Sequence, residues 1–213
     1  MKNLVIAIDG PSASGKGTLA KELAKHFNLP YLNSGALYRA CALSIIKQNI
    51  DTLNFVKHLD KIIKDINEKD LESQILFDEE VGQIASIIAK EPELREALLY
   101  WQQNFVSNSC KTNNGCVIDG RDITTVICPN ADYKFFITAD VKIRAQRRYD
   151  QLKNKEDVSY DKILQQLKIR DHNDFTRSHS PLKIAKDSNI IDNSNINVAE
   201  TVKKALEIIN ENR

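Results

Sequence analysis

Between Gly10 and Thr18 the chain reads GPSASGKGT, with glycines at 10, 15 and 17, a lysine at 16 and a hydroxyl at 18. A tight turn needs one glycine. Three glycines beside a lysine suit a backbone that curls until successive N–H groups face one anion. Gly10, Gly15, Lys16 and Thr18 nearly match G-x-x-x-x-G-K-[ST], with Gly17 inserted before the hydroxyl. In that pattern the loop amides and the N-terminus of the following helix hold a phosphate. The lysine reaches the outer phosphates, and the hydroxyl contacts a phosphate or the shell of a magnesium ion. Pro11, Ser12, Ala13 and Ser14 complete the loop. GKGTLA at 15–20 also matches the dinucleotide pattern G-x-G-x-x-A, but Gly15 lies six residues past Asp9 and NSGALYRACA at 33–42 holds no carboxylate for a ribose, so that reading is set aside.

A second phosphate needs a second set of cations. Arg39 lies in NSGALYR, Arg121 in DGRD, and Arg177 follows a charged helix. Placed on loops beyond strand ends, three arginines clamp a phosphate monoester through forked hydrogen bonds. RAQRR sets Arg144 and Arg148 one helical turn apart with Arg147 beside them. Closed over ATP, such arginines neutralise charge on a transferring phosphoryl group. The open alternatives for that stretch are a solvated basic helix and an RNA-binding patch, although Tyr149 is the only aromatic interleaved with it. Asp119 ends a strand and is the carboxylate placed to orient magnesium through water; Asp9 is also near.

Strands and helices alternate in a way that puts these residues at one sheet edge. Apolar runs at Leu4–Asp9, 116–119, 133–138 and 189–192 read as strands, with 29–32 as a short fifth. Helical spacing covers 16–27, 34–48, 141–152, 160–174 and 198–210, and residues 52–112 are helix-rich with no pair of long strands. Such alternation implies an α/β fold, a parallel sheet with helices on both faces, whose ligands gather at the carboxyl ends of the strands. The chain has 213 residues, 42% hydrophobic and 28% charged, with net charge +1, so no global field draws nucleic acid or anionic membrane. No stretch approaches the roughly 18 uninterrupted apolar residues of a membrane span. Four cysteines, Cys41, Cys110, Cys116 and Cys128, show no metal spacing and suit a reducing, cytoplasmic compartment.

GPSASGKGT, NSGALYRA, IASIIAKEPELREALL, VIDGRDITTVICPNADYKFFITA, RAQRR and KIRDHNDFTRSHSPL, in this order, resemble the bacterial cytidylate kinase family over nearly the whole chain. DGRD and SGALYR are the most specific parts; GPxxSGKGT alone points only to the wider group of nucleoside monophosphate kinases. The resemblance implies a P-loop kinase core with a five-stranded parallel sheet. It implies a single kinase domain over 1–213, with core segments near 1–50, 113–150 and 182–213, a monophosphate-binding insertion near 51–112, and a lid near 151–181. It implies transfer of the γ-phosphate of ATP to CMP or dCMP with Mg²⁺, by a monomer. Ser34, Arg39, Arg121 and Arg177 are then expected to hold the acceptor phosphate. Ser86, Arg95 and Asp122 are expected to read cytosine, and Arg170 and Asp174 to contact the sugar and the lid-side phosphates. Segment 60–85 is shorter than the family's usual insertion, and Phe175 stands among residues that are often charged there.

The chemistry of the base fits that assignment. Cytosine offers an amino donor at N4 and acceptors at N3 and O2, which suit an arginine together with Asp122 and Ser86. Uracil reverses the pattern at N3 and position 4. The acceptor phosphate is largely dianionic at neutral pH, its second pKa being about 6, so no strong base is needed. Lys16, Arg121, Arg144, Arg148 and Arg177 are the expected catalytic cations. Two other readings stand beside this one: a kinase for UMP, AMP or a small alcohol, and a P-loop protein that binds ATP and signals to a partner.

Overall fold

The protein is described by a computed structural model at residues 3–67, 71–153 and 158–211. Parts of the expected insertion (68–70) and lid (154–157) lie outside these residues. Five strands form one sheet: β1 (Leu4–Asp9), β2 (Tyr31–Asn33), β3 (Gly115–Gly120), β4 (Tyr133–Thr138) and β5 (Asn189–Asp192), in the order β2-β3-β1-β4-β5. β1 is central and parallel to both neighbours, with Leu4 opposite Gly115, Asp9 opposite Gly120 and Asp9 opposite Phe136. A strand buried on both faces needs a continuous apolar run, and LVIAID and GCVIDG meet that need.

Helices follow the strands. They are α1 (Lys16–Phe27), α2 (Ser34–Lys47), α3 (Leu59–Lys64), α4 (Glu79–Ile88), α5 (Pro92–Thr112), α6 (Val141–Leu152), α7 (Tyr160–Thr176) and α8 (Val198–Glu211). The strand and helix limits agree with the sequence-based ones to within about two residues, with β2 and α7 at that limit. The run 29–32 was expected to be a strand, but Pro30 has no N–H to pair, so the strand starts at Tyr31 while the Pro30 carbonyl accepts from Val117 N. A single π-helical turn, Ile123–Ile127, was not anticipated.

The described chain forms two compact units, Met1–Leu32 with Ser109–Arg213, and Asn33–Asn108. In the first, Ile6 and Ile8 of β1, Leu19 and Leu23 of α1, Val117, Phe135 and Ile137 from neighbouring strands, and Ala205 and Ile209 of α8 make one buried core. Each of the larger side chains, Val, Leu, Ile or Phe, contributes about 1.5–3 kcal/mol by leaving water. A smaller cluster lies between α6 and α7, where Ala145 meets Ile163 and Leu167, and Tyr149 meets Tyr160 edge to face at 6.5 Å. In the second unit α2 is capped by Asn33, whose Oδ1 accepts from Ala36 N. Its interior is built from Leu37, Ile45, Phe55, Ile62, Leu76, Ile88 and Leu94, all essentially inaccessible to solvent.

Candidate active site

The glycine-rich loop lies where the sequence puts it, between β1 and α1. Gly10 passes so close to β4 that a Cβ would collide with the Ile137 carbonyl, and Gly15 adopts φ 87°, so both positions require glycine. Gly15 caps α1 with no side-chain bond to the first turn, which leaves the helix's opening N–H groups facing the loop. The loop carbonyls are engaged one by one. Lys16 Nζ donates to Pro11 O at 3.2 Å, Arg144 Nη1 to Ser12 O at 3.0 Å, and Asn193 Nδ2 to Ser14 O at 2.9 Å. Ser14 Oγ is buried and finds no partner among the described residues, while Thr18 is exposed at the start of α1. Burial first, then the charge of Arg121, pushes the Lys16 ammonium down to about 7, against the pull of Asp119, Asp174 and Asp9.

The two acidic strand ends do different things. Asp9 is fully buried, and its carboxylate accepts from Ile123 N, Thr124 N and Thr124 Oγ1 at 2.9, 2.8 and 2.6 Å. These bonds hold the π turn that follows DGRD, which leaves Asp9 committed to the fold. Burial raises its carboxyl to about 6 despite the three donors. Asp119 accepts from Tyr31 Oη through Oδ1 at 2.7 Å, and its Oδ2 lies 3.7 Å from where a Cβ on Gly17 would stand. Burial pushes its carboxyl up, and Lys16 pulls it back. Asp119 and the Thr18 hydroxyl are oxygen donors of the kind a magnesium ion takes when nucleotide phosphates and water fill the rest of its shell.

Beyond β3, Asp174 of α7 draws two of the expected phosphate-binding arginines together. Arg121 Nε donates to its Oδ2 at 2.7 Å, and Arg177 Nη1 approaches its Oδ1 at 3.5 Å. Arg177 Nε also donates to Ser180 O. One turn earlier on α7, Asp171 takes Arg144 Nη2 at 2.7 Å, and Arg144 Nε donates to Ala139 O. Arg144 is therefore buried with all three of its nitrogens engaged. Arg148, one turn along α6, makes among the described residues a 3.5 Å contact with Gln151 and no ion pair. Arg170 lies half-buried on α7. Asp122, just past Arg121, is buried.

The second unit carries the other expected residues. Ser34 Oγ donates to Gln102 Oε1 at 2.5 Å, and Gln102 Nε2 donates to Leu98 O. Arg39 Nη1 donates to Leu76 O at 2.6 Å, its guanidinium 5.7 Å from the centre of the Phe77 ring. Arg95 is buried, donates to Ala89 O at 3.0 Å and stacks over Tyr38 at 5.5 Å. Ser86 is half-buried on α4. Within this unit, then, the arginines are held by carbonyls and aromatic faces. Sequence reasoning missed Gln102, Tyr31, Thr124 and Asn193. Asn193 alone had a usable signal, since it follows the strand NIID at a carboxyl end.

A strand, a glycine loop ending in a lysine, a helix, and arginines gathered beyond the neighbouring strand β3 define a P-loop kinase. A gluconokinase from Sinorhizobium meliloti 1021 shares the fold at a TM-score of 0.54 and 13% identity, over 98% of this chain and 93% of that one. Sequence comparison is more specific. The model of the cytidylate kinase family matches residues 6–211. A cytidylate kinase of Bartonella tribocorum (strain CIP 105476 / IBS 506) is 42% identical over 98% of this chain and 95% of its own length. One from Rhodospirillum rubrum is 38% identical over 97% of each. The chain belongs to the cytidylate kinase family.

Proposed function

We propose that the protein transfers the γ-phosphoryl group of ATP to CMP or dCMP, giving ADP and CDP or dCDP. The observation that carries this reading is the pairing, within one unit, of a phosphate loop with Arg121 and Arg177 around Asp174. A protein that only binds ATP has no use for that second cluster. Family membership supports the same acceptor.

An oxygen of the acceptor phosphate attacks Pγ, and the bond from Pγ to the β-bridging oxygen breaks as ADP leaves. The attacking group is already an anion, so the task is to position two polyanions and absorb their charge. Gly10–Thr18 hold the β- and γ-phosphates through backbone N–H groups, and Lys16 follows the charge as it moves to the bridge. Arg121 and Arg177 take the acceptor phosphate and release Asp174 as they do. Ser34 and Arg39 are further ligands for the acceptor phosphate. Arg148 is the α6 arginine with the weakest hold on its own neighbours, and it turns to the transferring group; Arg144 contributes charge from its place on the Ser12 carbonyl. Thr18 and, through water, Asp119 would hold Mg²⁺, which neutralises phosphate charge when bound. Ser86, Arg95 and Asp122 read cytosine. A buried mismatch at N3 or position 4 of uracil costs about 1–3 kcal/mol for each unsatisfied group, which favours CMP over UMP. Arg170 and Asp174 contact the sugar.

In this reading 51–112 is the monophosphate-binding insertion, 151–181 the lid, and the remaining segments one core, in a chain that works as a monomer in the cytoplasm. No helix among the described residues is long and apolar enough to cross a membrane. The test is ADP release from ATP and Mg²⁺ with CMP, dCMP, UMP, AMP, GMP and shikimate, each alone. CMP and dCMP dominate if the reading is right. Equal turnover of UMP removes the role given to Ser86, Arg95 and Asp122, and no stimulation by any acceptor removes the transferase itself.

A further inference from the structure

We propose that Asn193 is a positioning residue for the phosphate loop, with Arg147 as its support; this rests on the reading of Gly10–Thr18 as an ATP site. Asn193 follows β5 and is only 5% exposed. Its side-chain amide joins two elements far apart in sequence. Nδ2 donates to Ser14 O at 2.9 Å, and Oδ1 accepts from Arg147 Nη1 at 2.8 Å. These partners fix which end of the amide is which, because the opposite orientation would set N–H against guanidinium N–H and oxygen against the Ser14 carbonyl. Its backbone is held as well. Asn193 N donates to Thr138 O at 2.9 Å, and Arg147 Nη2 donates to Asn193 O at 2.7 Å. The residue is therefore clamped to the end of β4 and to α6, and its side-chain NH2 remains to donate to the loop.

The planarity of the peptide unit gives this bond its meaning. In a trans peptide the C=O and the following N–H point in opposite directions. Turning the Ser14 carbonyl onto Asn193 aims the Gly15 N–H away from Asn193. Gly15 is the residue with φ 87°, and its freedom lets the loop curl. The same freedom leaves its peptide plane with no side chain to steady it. A Cβ on Gly15 would stand 3.2 Å from Asn193 Nδ2, so the asparagine packs directly against this glycine. Two of the five N–H donors of Arg147, one on each Nη, go to Asn193, which ties its guanidinium to the end of β5. Of the three arginines in RAQRR, it is the one whose work is to hold the holder.

The test uses the full-length protein with Asn193→Ala, Asn193→Asp, Arg147→Met and the Asn193→Ala/Arg147→Met pair. ADP and CMP affinities are measured separately by calorimetry, KM for ATP and for CMP by steady-state assay, and Tm by calorimetric scanning. Losing one net hydrogen bond at the loop is expected to weaken ADP binding and raise KM for ATP by about 3- to 10-fold, with CMP affinity changed by less than about 2-fold. Asn193→Asp keeps Arg147 but faces the Ser14 carbonyl with a charge, so ADP binding falls at least as far as in the alanine variant. The double variant is no worse than Asn193→Ala, because Arg147 acts only through Asn193. ADP affinity unchanged in Asn193→Ala overturns the proposal. So does a parallel loss of ADP and CMP affinity with a lowered Tm, or simple additivity of the two substitutions. Should Asn193→Ala fail to fold, Arg147→Met decides alone, and unchanged ADP affinity there is equally fatal. Wild-type protein that binds ADP but never turns over CMP refutes the acceptor assignment and leaves the calorimetric test intact. Wild-type protein that fails to bind ADP refutes the loop reading and this proposal with it.

Discussion

Binding of nucleotide should draw a proton from solution, and Lys16 sets how much. Its ammonium is pushed down to about 7 in the free protein, chiefly by burial and then by Arg121. A phosphate anion brought against it restores a pKa near or above the ordinary value of about 10.4. At pH 8 the free side chain is about one-tenth protonated and the bound one fully so, which gives an uptake of about 0.9 proton per ADP. The same arithmetic gives about 0.5 at pH 7 and about 0.1 at pH 6. ADP itself contributes little at pH 8, because a phosphate monoester with a second pKa of about 6 is already ionised there. The assay is calorimetric titration with ADP in buffers of differing ionisation enthalpy, since the slope of observed heat against buffer enthalpy counts protons. Affinity should also fall, approaching tenfold per pH unit above about 7. Lys16→Met should show a slope near zero at whatever affinity it retains. A wild-type slope near zero at pH 8, or a full slope that survives Lys16→Met, would refute the assignment of a desolvated lysine at the loop.

Three further outcomes are expected. Asp9 is raised to about 6 by burial, so the folded protein binds more protons than the unfolded chain between about 4 and 6, and stability from this group falls as pH rises through that window. The two-unit difference is worth about 3 kcal/mol at most, so in urea melts the stability gap between wild type and Asp9→Asn should narrow from pH 4.5 to pH 7, and a constant gap would contradict the raised carboxyl. Gly10→Ala places a Cβ on the Ile137 carbonyl, and its melting temperature should drop by several degrees or more, whereas Gly17→Ala, with its nearest neighbour at 3.5 Å, should melt close to wild type. Asp122→Ala should reduce kcat/KM for CMP by about tenfold or more while leaving UMP turnover nearly unchanged, and an equal loss on both acceptors would count against base reading.

What the chain reveals before folding depends on how locally each feature is determined. LVIAID is legible because a strand buried on both faces must be apolar throughout, whatever its neighbours, whereas NIID, at the sheet edge with Ile190 exposed, offers only a run of two isoleucines. The glycine loop is legible because Gly10 and Gly15 answer backbone demands that only glycine meets. The π turn at Ile123–Ile127 is different. ITTVI carries no signal for it, and it depends on Asp9, more than a hundred residues away, accepting from Ile123 N and Thr124 N. The arginines divide along the same line. Arg121, Arg144 and Arg177 were recognisable as a charged set, but that Arg144 would be spent on Ser12, Ala139 and Asp171 could not be read from its helix alone. Likewise Arg39 meets the carbonyl of Leu76, contributed by a turn with no periodic signature.

The position of β1 in the sheet has a consequence for the chain's birth on the ribosome. LVIAID ends up between β3 and β4, yet Leu4 emerges about 110 residues before its partner Gly115. At synthesis rates of about 5–20 residues per second, this apolar strand waits roughly 5–20 s for the neighbours that cover it. Residues 33–108 make their own compact contacts in that interval and can settle while the sheet is still missing its centre. A nascent chain of this kind should engage a holding chaperone through its first strand and release it as residues beyond Thr138 appear.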